Sequence, residues 1–431
     1  MRNRPNNPRL GEVRTRRSRG PASNEPSGQS ALTDEALLDE ATFDEAEARL
    51  TDIEDRGSID VLAPWEEFGP PPTGSWGPDV LGEGFEAQTI PLQPDEEGEL
   101  VATLVRQKPH EEPAGSTQTR SWMQALHVKA AKKSKPKFVM LHVHGRNDYF
   151  FHPDSAQKFS EMGAAFYALD LRKYGRSLRP WQTIGYTLNL ADYDEEINAA
   201  LDVIRQDHPG LPVFMIAHSM GGLVATLWAW RNPGVLSGLI LNSAWLELQV
   251  HTGMRNAIHQ VAKRVARIRP RAAIMGVSKN DYYFRSLASG WGGSGFDAPD
   301  YFAENLEDRA NVGWKIIPEW KLPYSYPAPA AWVVGILEGH ELVQDHVHLD
   351  CPVLAMASTN YDPSEEWTEA VFNSDVVLDA DVITERAGNL SDSVTIARFP
   401  GKHDLLLSDP PVRRDIFTTI SRWMKFIGED D

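Results

Sequence analysis

Two hydrophobic periods alternate along most of the chain, and together they predict strands that alternate with helices. Short apolar runs have the length of buried strands, and between them apolar residues recur every three or four positions. Strands are predicted over 85–92, 100–106, 121–128, 138–143, 165–169, 211–217, 238–241, 352–356 and 394–399. Helices are predicted over 154–162, 191–205 and 412–427, with another directly after residue 219. This order predicts an α/β fold with a mostly parallel central sheet covered by helices on both faces.

The alternation is interrupted between about residues 245 and 350. This stretch is rich in aromatic residues, among them Trp245, Trp291, Trp314, Trp320, Trp332, Tyr282, Tyr283, Phe284, Tyr301, Tyr324 and Tyr326. A long insertion directly after a core strand is typical of a cap over a functional site. The aromatic residues either pack the cap itself or line a substrate pocket, and the sequence leaves both possibilities open.

The N-terminal part has the composition of a segment without a core. Seven arginines precede residue 20, and residues 31–70 hold thirteen Asp and Glu against Arg49 and Arg56. A weak helix is the most that the second stretch indicates. Residues 69–78 are rich in Pro and Gly and are predicted to be a linker. We therefore expect a disordered, low-complexity extension over 1–76 and one folded domain over 77–431, with its cap at about 245–350.

Composition narrows the possible partners and location. The net charge of −18 argues against nucleic acid or an anionic membrane surface as a partner of the folded body. Cys351 is the single cysteine, so no intrachain disulfide can form and a cytoplasmic location is favoured. No apolar run reaches the roughly 18 residues of a membrane span. The expectation is a cytoplasmic protein without an integral membrane segment; oligomeric state is not indicated.

The stretch around Ser219 carries the clearest chemical signal. The run Ala217-His218-Ser219-Met220-Gly221 is a variant of the G-x-S-x-G nucleophile elbow, with alanine in the first glycine position. A predicted strand precedes it and a predicted helix follows, which is the context that the motif requires. Small residues are needed because strand and helix converge on a strained turn. Ser219 is therefore predicted to be a nucleophile.

A serine nucleophile needs a base and an orienting carboxylate, in the order Ser, acid, His along the chain of an α/β-hydrolase. His403 follows the last strand in a short loop, 184 residues beyond Ser219, and is the predicted base. The residues alone leave three candidate acids: Asp362, Asp375 and Asp379.

Other histidines are assigned differently. His218 is read as a packing residue beside the nucleophile. A metal cluster of His340, His346 and His348 is disfavoured, because no cysteine pair and no H-E-x-x-H pattern accompanies them.

An oxyanion hole needs two backbone donors. The N–H of Met220 lies next to the nucleophile by the construction of the elbow. The second donor is predicted to be Arg146, which follows His144-Gly145 at the end of strand 138–143.

Several motifs together resemble the α/β-hydrolase superfamily, and more closely its monoacylglycerol lipase and lysophospholipase-like group, labelled serine aminopeptidase S33. They are residues 144–148 (HGRND), 170–177 (DLRKYGRS), 217–222 (AHSMGG), 375–379 (DVVLD) and 401–404 (GKHD). The resemblance covers about residues 80–428 and implies that the acid is Asp375, the first aspartate of D-x-x-x-D. Two departures stand out. Lys173 replaces the first glycine of D-x-R-G-x-G-x-S, and residues 358–374 separate the acid from its strand.

The function predicted from these residues is a serine hydrolase that cleaves a small-molecule carboxylic ester, lipid-like or with a hydrophobic acyl group, through an acyl-enzyme. Neither a metal nor an organic cofactor is implied, because nucleophile and base are internal. One alternative is an S33-type aminopeptidase, which would need a carboxylate such as Glu338 or Glu341 to bind the substrate amine. The other is a non-catalytic binding protein that retains the fold.

Overall fold

The structure is a computed structural model, and it describes residues 69–108, 135–250 and 252–428. The predicted strand over 121–128, the arginine-rich segment and most of the acidic segment lie outside the described residues. The domain boundaries at 76 and 77 therefore stay predictions.

The centre of the molecule is a nine-stranded sheet. Its strands are β1 (Gly77–Pro78), β2 (Phe85–Asp95), β3 (Gly98–Gln107), β4 (Phe138–Val143), β5 (Ala164–Asp170), β6 (Val213–His218), β7 (Gly238–Asn242), β10 (Val353–Ser358) and β11 (Val394–Phe399). Across the sheet their order is β1-β2-β3-β5-β4-β6-β7-β10-β11. Six of these strands are parallel to one another: β4, β5, β6, β7, β10 and β11. The other three, β1, β2 and β3, pair antiparallel at one edge of the sheet. The prediction of a mostly parallel sheet is confirmed.

Central strands of the sheet are buried on both faces. Every residue of β4, β6, β7 and β10 is buried. Their sequences are accordingly almost continuous apolar runs, as expected where helices cover both sides of a parallel sheet. Polar residues occur in these strands mainly at their C-terminal ends, as with His218 and Asn242.

Helices pack on the two faces of the sheet. The helices outside the cap are α1 (Pro153–Glu161), α2 (Tyr193–Asp207), α3 (Met220–Arg231), α8 (Ala380–Ala387) and α9 (Pro410–Ile427). α1 and α9 share one apolar cluster, in which Phe159 and Trp423 are buried. α2 and α3 belong to a second cluster, with Ile197 and Leu227. The predicted stripe of α9 is buried at Ile416, Ile420 and Trp423 and partly buried at Ile427.

The insertion between β7 and β10 carries its own elements. They are α4 (Thr252–Ile268), β8 (Ala273–Met275), α5 (Tyr282–Ala288), α6 (Arg309–Val312), β9 (Ala328–Pro329) and α7 (Ala330–Asp345). α7 packs on the sheet's own helices: a Cβ at Gly339 would lie 3.1 Å from Leu227 of α3. We refer to this insertion as the cap. Among the described helices, here and in the sheet body, none has both the length and the apolar character that crossing a bilayer requires.

The Pro/Gly-rich stretch 69–78 differs from the linker that the sequence predicts. Gly77–Pro78 forms β1 and pairs with β2, and the carbonyl of Pro72 accepts a 2.9 Å hydrogen bond from the N–H of Thr89. Proline lacks an N–H, so it is tolerated at an edge strand that needs few donors. Part of the stretch therefore belongs to the sheet.

Candidate active site

Ser219 lies at the sharp turn between β6 and α3. Its φ of 50° and ψ of −120° are a strained combination for a residue with a side chain. A Cβ at Gly221 would lie 2.2 Å from the carbonyl oxygen of His144, and one at Gly222 would lie 2.4 Å from Cβ of Ala244. Larger residues would therefore push the helix away from the neighbouring strand ends. The strain and the two close approaches are the local features that a nucleophile elbow requires.

Three predicted site residues from distant parts of the chain meet at this turn. Nε2 of His403 is 3.0 Å from Oγ of Ser219, and its Nδ1 is 2.8 Å from Oδ2 of Asp375. A carboxylate can only accept, so Nδ1 carries the proton and Nε2 is left to accept from the serine hydroxyl. Asp375 is fully buried, and its other oxygen accepts the N–H groups of Val377 and Leu378.

The other candidate acids lie elsewhere. Asp362 binds the backbone N–H of Ser364, and Asp379 caps the start of α8. The long segment after β10 leaves the strand end and returns to it: N–H of Asp375 donates to the carbonyl of Asn360, and N–H of Asp362 donates to that of Asp375. The intervening residues are thus an excursion that brings Asp375 back beside the strand.

The two predicted oxyanion donors lie on adjoining segments. Met220 is the first residue of α3. The loop that carries Arg146 lies against the nucleophile, since a Cβ at Gly145 would be 3.1 Å from Cβ of Ser219. The side chain of Arg146 turns away toward the cap, where its guanidinium lies 4.4 Å from the ring centre of Tyr326.

Asn242, which the sequence reading did not single out, joins both halves of the site. Its carbonyl accepts from the N–H of Ser219 at 3.1 Å, and its side chain donates to Asp404 at 2.7 Å while accepting from the N–H of Leu405. The nucleophile turn and the loop of His403 are therefore bonded to one residue. Its position at the C-terminal end of a buried strand was the available signal.

A buried polar layer lies behind His403. Burial lowers the pKa of His218 to about 4, so this imidazole is neutral and its Nδ1–H donates to the carbonyl of Asn242. Burial alone would raise the pKa of Asp404, but the neighbouring His218 and His152 and the bond from Asn242 lower it to about 2. His218 is thus placed as the packing residue that the sequence predicted.

Asp148, His218 and Asp404 each bring one ligand atom within 4.8 Å of the others, which is a spacing that a metal ion could use. Asp148 already has a cationic partner, because Nζ of Lys321 lies 2.9 Å from its Oδ1. The ammonium group supplies the positive charge that the buried carboxylate requires.

The cap histidines are not brought together. Nε2 of His340 bonds the carbonyl of Trp245, and burial lowers the pKa of this imidazole to about 4. His348 pairs with Asp392 at the surface, and His346 is exposed beyond the end of α7.

The cap touches the site through one aromatic ring and one backbone group. The ring of Tyr283 lies edge-on to His403 at 5.6 Å, and the backbone N–H of Trp245 donates to the carbonyl of Ser219 at 2.9 Å. Trp332 follows behind Trp245 at 6.0 Å. Other aromatics pack within the cap or against its supports, as Trp291 does on Phe372 at 4.3 Å and Trp320 on Tyr149 at 5.2 Å.

Glu338 and Glu341, the carboxylates considered for amine recognition, are exposed on the side of α7 that faces α4. Glu338 pairs with Lys263 at 3.1 Å, and Glu341 lies 3.2 Å from His259. Both are thus engaged at the outer surface of the cap.

The loop that follows β5 contacts the oxyanion segment, because the N–H of Leu171 donates to Nε2 of His144 at 3.0 Å. Lys173 has a φ of 60°, the conformation for which the family's glycine is suited, and its side chain is fully buried. Its ammonium group lies 2.5 Å from Asp95 and 2.6 Å from Glu97, at the hairpin of β2 and β3. These ion pairs offset the backbone cost of a non-glycine residue at this position.

Comparison with known proteins agrees with this architecture. Residues 134–289 match the sequence profile of the family described as serine aminopeptidase, S33. This segment is less than half of the chain. Over these residues the predicted resemblance to the monoacylglycerol lipase and lysophospholipase-like group is confirmed, and the order of the described sheet is that of an α/β-hydrolase fold.

Curated relatives match part of this chain. A monoacylglycerol lipase of Mycolicibacterium smegmatis is 29% identical over 31% of this chain and 47% of its own length. Human monoglyceride lipase is 30% identical over 25% of this chain and 35% of its own, and phospholipase YtpA of Bacillus subtilis is 33% identical over 28% and 45%. The chain thus spans less than half the length of these relatives.

A solved structure of a thermostable carboxyl esterase from Bacillus coagulans is similar with a TM-score of 0.49, at 16% identity over 79% of this chain and 98% of that one. The fold assignment rests on the sheet order described above.

Proposed function

We propose that this α/β-hydrolase cleaves carboxylic esters through an acyl-enzyme on Ser219. The observation that carries the proposal is the unbroken chain of contacts from Asp375 through His403 to Ser219, at 2.8 and 3.0 Å. A serine hydroxyl without such partners is a poor nucleophile near neutral pH.

In the first half-reaction Oγ of Ser219 attacks the ester carbonyl while Nε2 of His403 takes the hydroxyl proton. The carbonyl carbon becomes tetrahedral, and its oxygen takes the negative charge. Collapse breaks the bond to the leaving alcohol, whose oxygen receives the proton from His403. Asp375 stabilises the imidazolium in the interval.

The second half-reaction repeats these steps with water. His403 takes a proton from water as it attacks the acyl carbon, and the proton then returns to Oγ of Ser219 as the carboxylic acid leaves. The negative oxygen of both tetrahedral states is placed against the N–H groups of Met220 and Arg146, which supply the stabilisation that the reaction requires. Nucleophile, base and donors belong to the chain, so the proposed route uses no cofactor.

The substrate class follows from the cap and from the relatives. The ring of Tyr283 touches His403 from the cap side, and the ring of Trp245, whose backbone is bonded to Ser219, packs with that of Trp332, which favours an apolar acyl group. The matched relatives are named monoacylglycerol lipase, monoglyceride lipase and phospholipase, and a small-molecule ester with a hydrophobic acyl chain suits both observations. The engagement of Glu338 and Glu341 at the cap surface weighs against the aminopeptidase alternative.

Labelling with a fluorophosphonate tests the nucleophile and separates an enzyme from a binding protein. The wild type should be labelled, and Ser219→Ala should lose both labelling and, on the order of 10⁴-fold or more, kcat for a p-nitrophenyl ester. Ser243→Ala is the matched control, because Ser243 is also buried at a strand end with a positive φ of 48°. Ester hydrolysis by Ser219→Ala within tenfold of wild type would exclude Ser219 as the nucleophile. A parallel panel of aminoacyl amides would expose an aminopeptidase.

A further inference from the structure

Four consecutive residues after Gly145 direct their side chains into the cap. Arg146, Asn147, Asp148 and Tyr149 contact, in that order, Tyr326, Leu322, Lys321 and Ile317. Residue numbers rise along the loop while they fall along the cap, so the two segments are antiparallel and are joined by side chains of the loop. We call this set of contacts the tether and each single contact a rung.

The end of the tether nearest the nucleophile is a guanidinium held between aromatic rings. Nη2 of Arg146 donates to the carbonyl of Tyr326. The same group lies 4.4 Å from the ring centre of Tyr326 and 4.8 Å from that of Trp332. Stacking of this kind fixes the orientation of an arginine side chain.

Asn147 makes the most geometrically specific rung. Its side-chain amide donates to the carbonyl of Leu322 at 2.8 Å and accepts from the N–H of the same residue at 2.9 Å. Both backbone groups of Leu322 are thereby satisfied by one side chain. The backbone of Asn147 has a φ of 53°, which asparagine tolerates better than most residues.

The remaining rungs are buried. Asp148 and Lys321 form an ion pair with side chains only 6% and 5% exposed. The hydroxyl of Tyr149 accepts from the N–H of Ile317 at 2.8 Å. Breaking these contacts would leave polar groups without partners in a dry interface, so the tether is costly to open.

Few other contacts hold the loop. Within the described part of the chain, residues 145–148 make no backbone–backbone hydrogen bond. The carbonyl of Gly145 accepts from Nδ1 of His144 at 2.7 Å, and Nε2 of His144 accepts from the N–H of Leu171. On the far side the backbone is held by the tether and by the bond from Phe150 N–H to Asp170. The peptide N–H of Arg146 therefore lies between the His144 contact and the tether.

We infer that the cap, acting through the tether, positions the N–H of Arg146 for the oxyanion, so that the cap governs the acyl-transfer step as well as substrate binding. The inference rests on the proposed function, since it assigns a support to the proposed oxyanion hole. Asn147 is the positioning residue, because its amide holds the peptide next to Arg146 against Leu322. A displacement of about 1 Å in a reacting arrangement can cost on the order of 10²-fold in rate.

Asn147→Gly isolates this effect. Glycine adopts the φ of 53° without strain, so the substitution removes the amide and leaves the turn available. With a p-nitrophenyl acetate substrate, whose acyl group is too short to need the cap, kcat should fall about 10- to 100-fold while KM changes less than about threefold. Asn147→Asp keeps the acceptor for Leu322 N–H and loses the donor, so its kcat should fall between those of Asn147→Gly and wild type.

Asn311→Ala is the control within the cap. Asn311 is buried and donates to the carbonyl of Leu306 at 2.8 Å, away from the tether. It should lower the Tm by a similar amount and leave kcat on the acetate unchanged. If Asn147→Gly raises KM for long acyl esters but leaves kcat on the acetate at the wild-type value, the tether only holds the cap, and the inference is wrong.

The rate of fluorophosphonate labelling distinguishes the two proposals, because phosphonylation of Ser219 uses the same oxyanion donors. A wild type that is not labelled would overturn the proposed function. A wild type that is labelled, together with Asn147→Gly labelled equally fast, would overturn the tether alone. If Asn147→Gly does not fold, the same comparison is made with Asn147→Asp.

Discussion

The sheet and the cap reach the same serine by different means. Ser219, Asn242 and the loop of His403 are positioned by the ends of parallel strands, by the backbone bond from Ser219 to Asn242 and by the side chain of Asn242. The cap contacts the site mainly through side chains, namely the ring of Tyr283 and the polar contacts of the tether, and Trp245 adds one backbone bond to Ser219. Backbone geometry tolerates many side-chain exchanges, whereas a side-chain contact is lost with one. The nucleophile and base should therefore be robust, and substrate choice and oxyanion support should be easily altered.

The largest loss of kcat is expected when the acid, Asp375, is replaced. This residue lies beside the end of β10, although a long loop separates it from that strand in sequence. Asp375→Asn removes the charge that fixes the tautomer of His403 and stabilises its imidazolium, and kcat should fall on the order of 10⁴-fold. Asp362→Asn and Asp379→Asn should stay within about tenfold of wild type, because those carboxylates bind only nearby backbone N–H groups. Turnover is compared among variants of matched Tm. A severe loss in Asp362→Asn instead would show that the acid is misassigned.

A second test concerns stability and targets a buried charge cluster on the sheet side, that of Lys173, Asp95 and Glu97. Lys173→Met should lower the free energy of unfolding by about 3–5 kcal/mol, because Asp95 and Glu97 then lose their buried cation. Adding Asp95→Asn and Glu97→Gln should recover much of the loss, since no uncompensated carboxylate remains. Urea unfolding of the four-member cycle measures both changes. Full additivity of the substitutions would mean that the ion pairs contribute nothing jointly.

The cap is expected to have a smaller effect, in which KM falls stepwise as the acyl chain of the substrate lengthens. If Trp245 and Tyr283 line an acyl pocket, each added methylene of the substrate contributes up to about 0.8 kcal/mol, or roughly a fourfold fall in KM. The dependence should level off once the pocket is filled. KM measured from acetyl to octanoyl esters tests this expectation. A flat series would mean that these aromatics only pack against the site.

The smallest effect on activity is expected from truncation of the chain at the edge of the sheet. A protein that begins at Gly69 and one that begins at Gly77 should have the wild-type kcat/KM. The shorter protein should lose about 1–3 kcal/mol of stability, because Pro71, Pro72 and Gly74 hydrogen-bond Thr89. Thermal unfolding of the pair measures this difference. Insolubility of the protein beginning at Gly69 would instead place the acidic segment on the folded body.

Most of the sheet side was predictable, because its signals are local. The apolar runs marked β4 and β11 to the residue, and the strand, turn and helix around Ser219 can be read within eighteen positions. Asp375 required the family motif, since plain strand reading pointed to Asp362. The rungs between Asn147 and Leu322 could not be predicted: the partners are 175 residues apart, and neither side chain type is distinctive. Nor did the sequence explain Lys173 until its partners in the hairpin were visible.

The cluster of Lys173, Asp95 and Glu97 also constrains the order in which these residues can change during evolution. Replacing the lysine first leaves Asp95 without its cation and leaves Glu97 with Arg271, 3.3 Å away. Replacing either acid first leaves the buried ammonium group with the other acid and the ring of Tyr186, whose centre is 4.6 Å away. Each first step therefore weakens the pairing of a charge that is largely removed from water. The three positions should therefore covary among related chains, and the glycine of the D-x-R-G-x-G-x-S motif would be hard to regain here by one substitution.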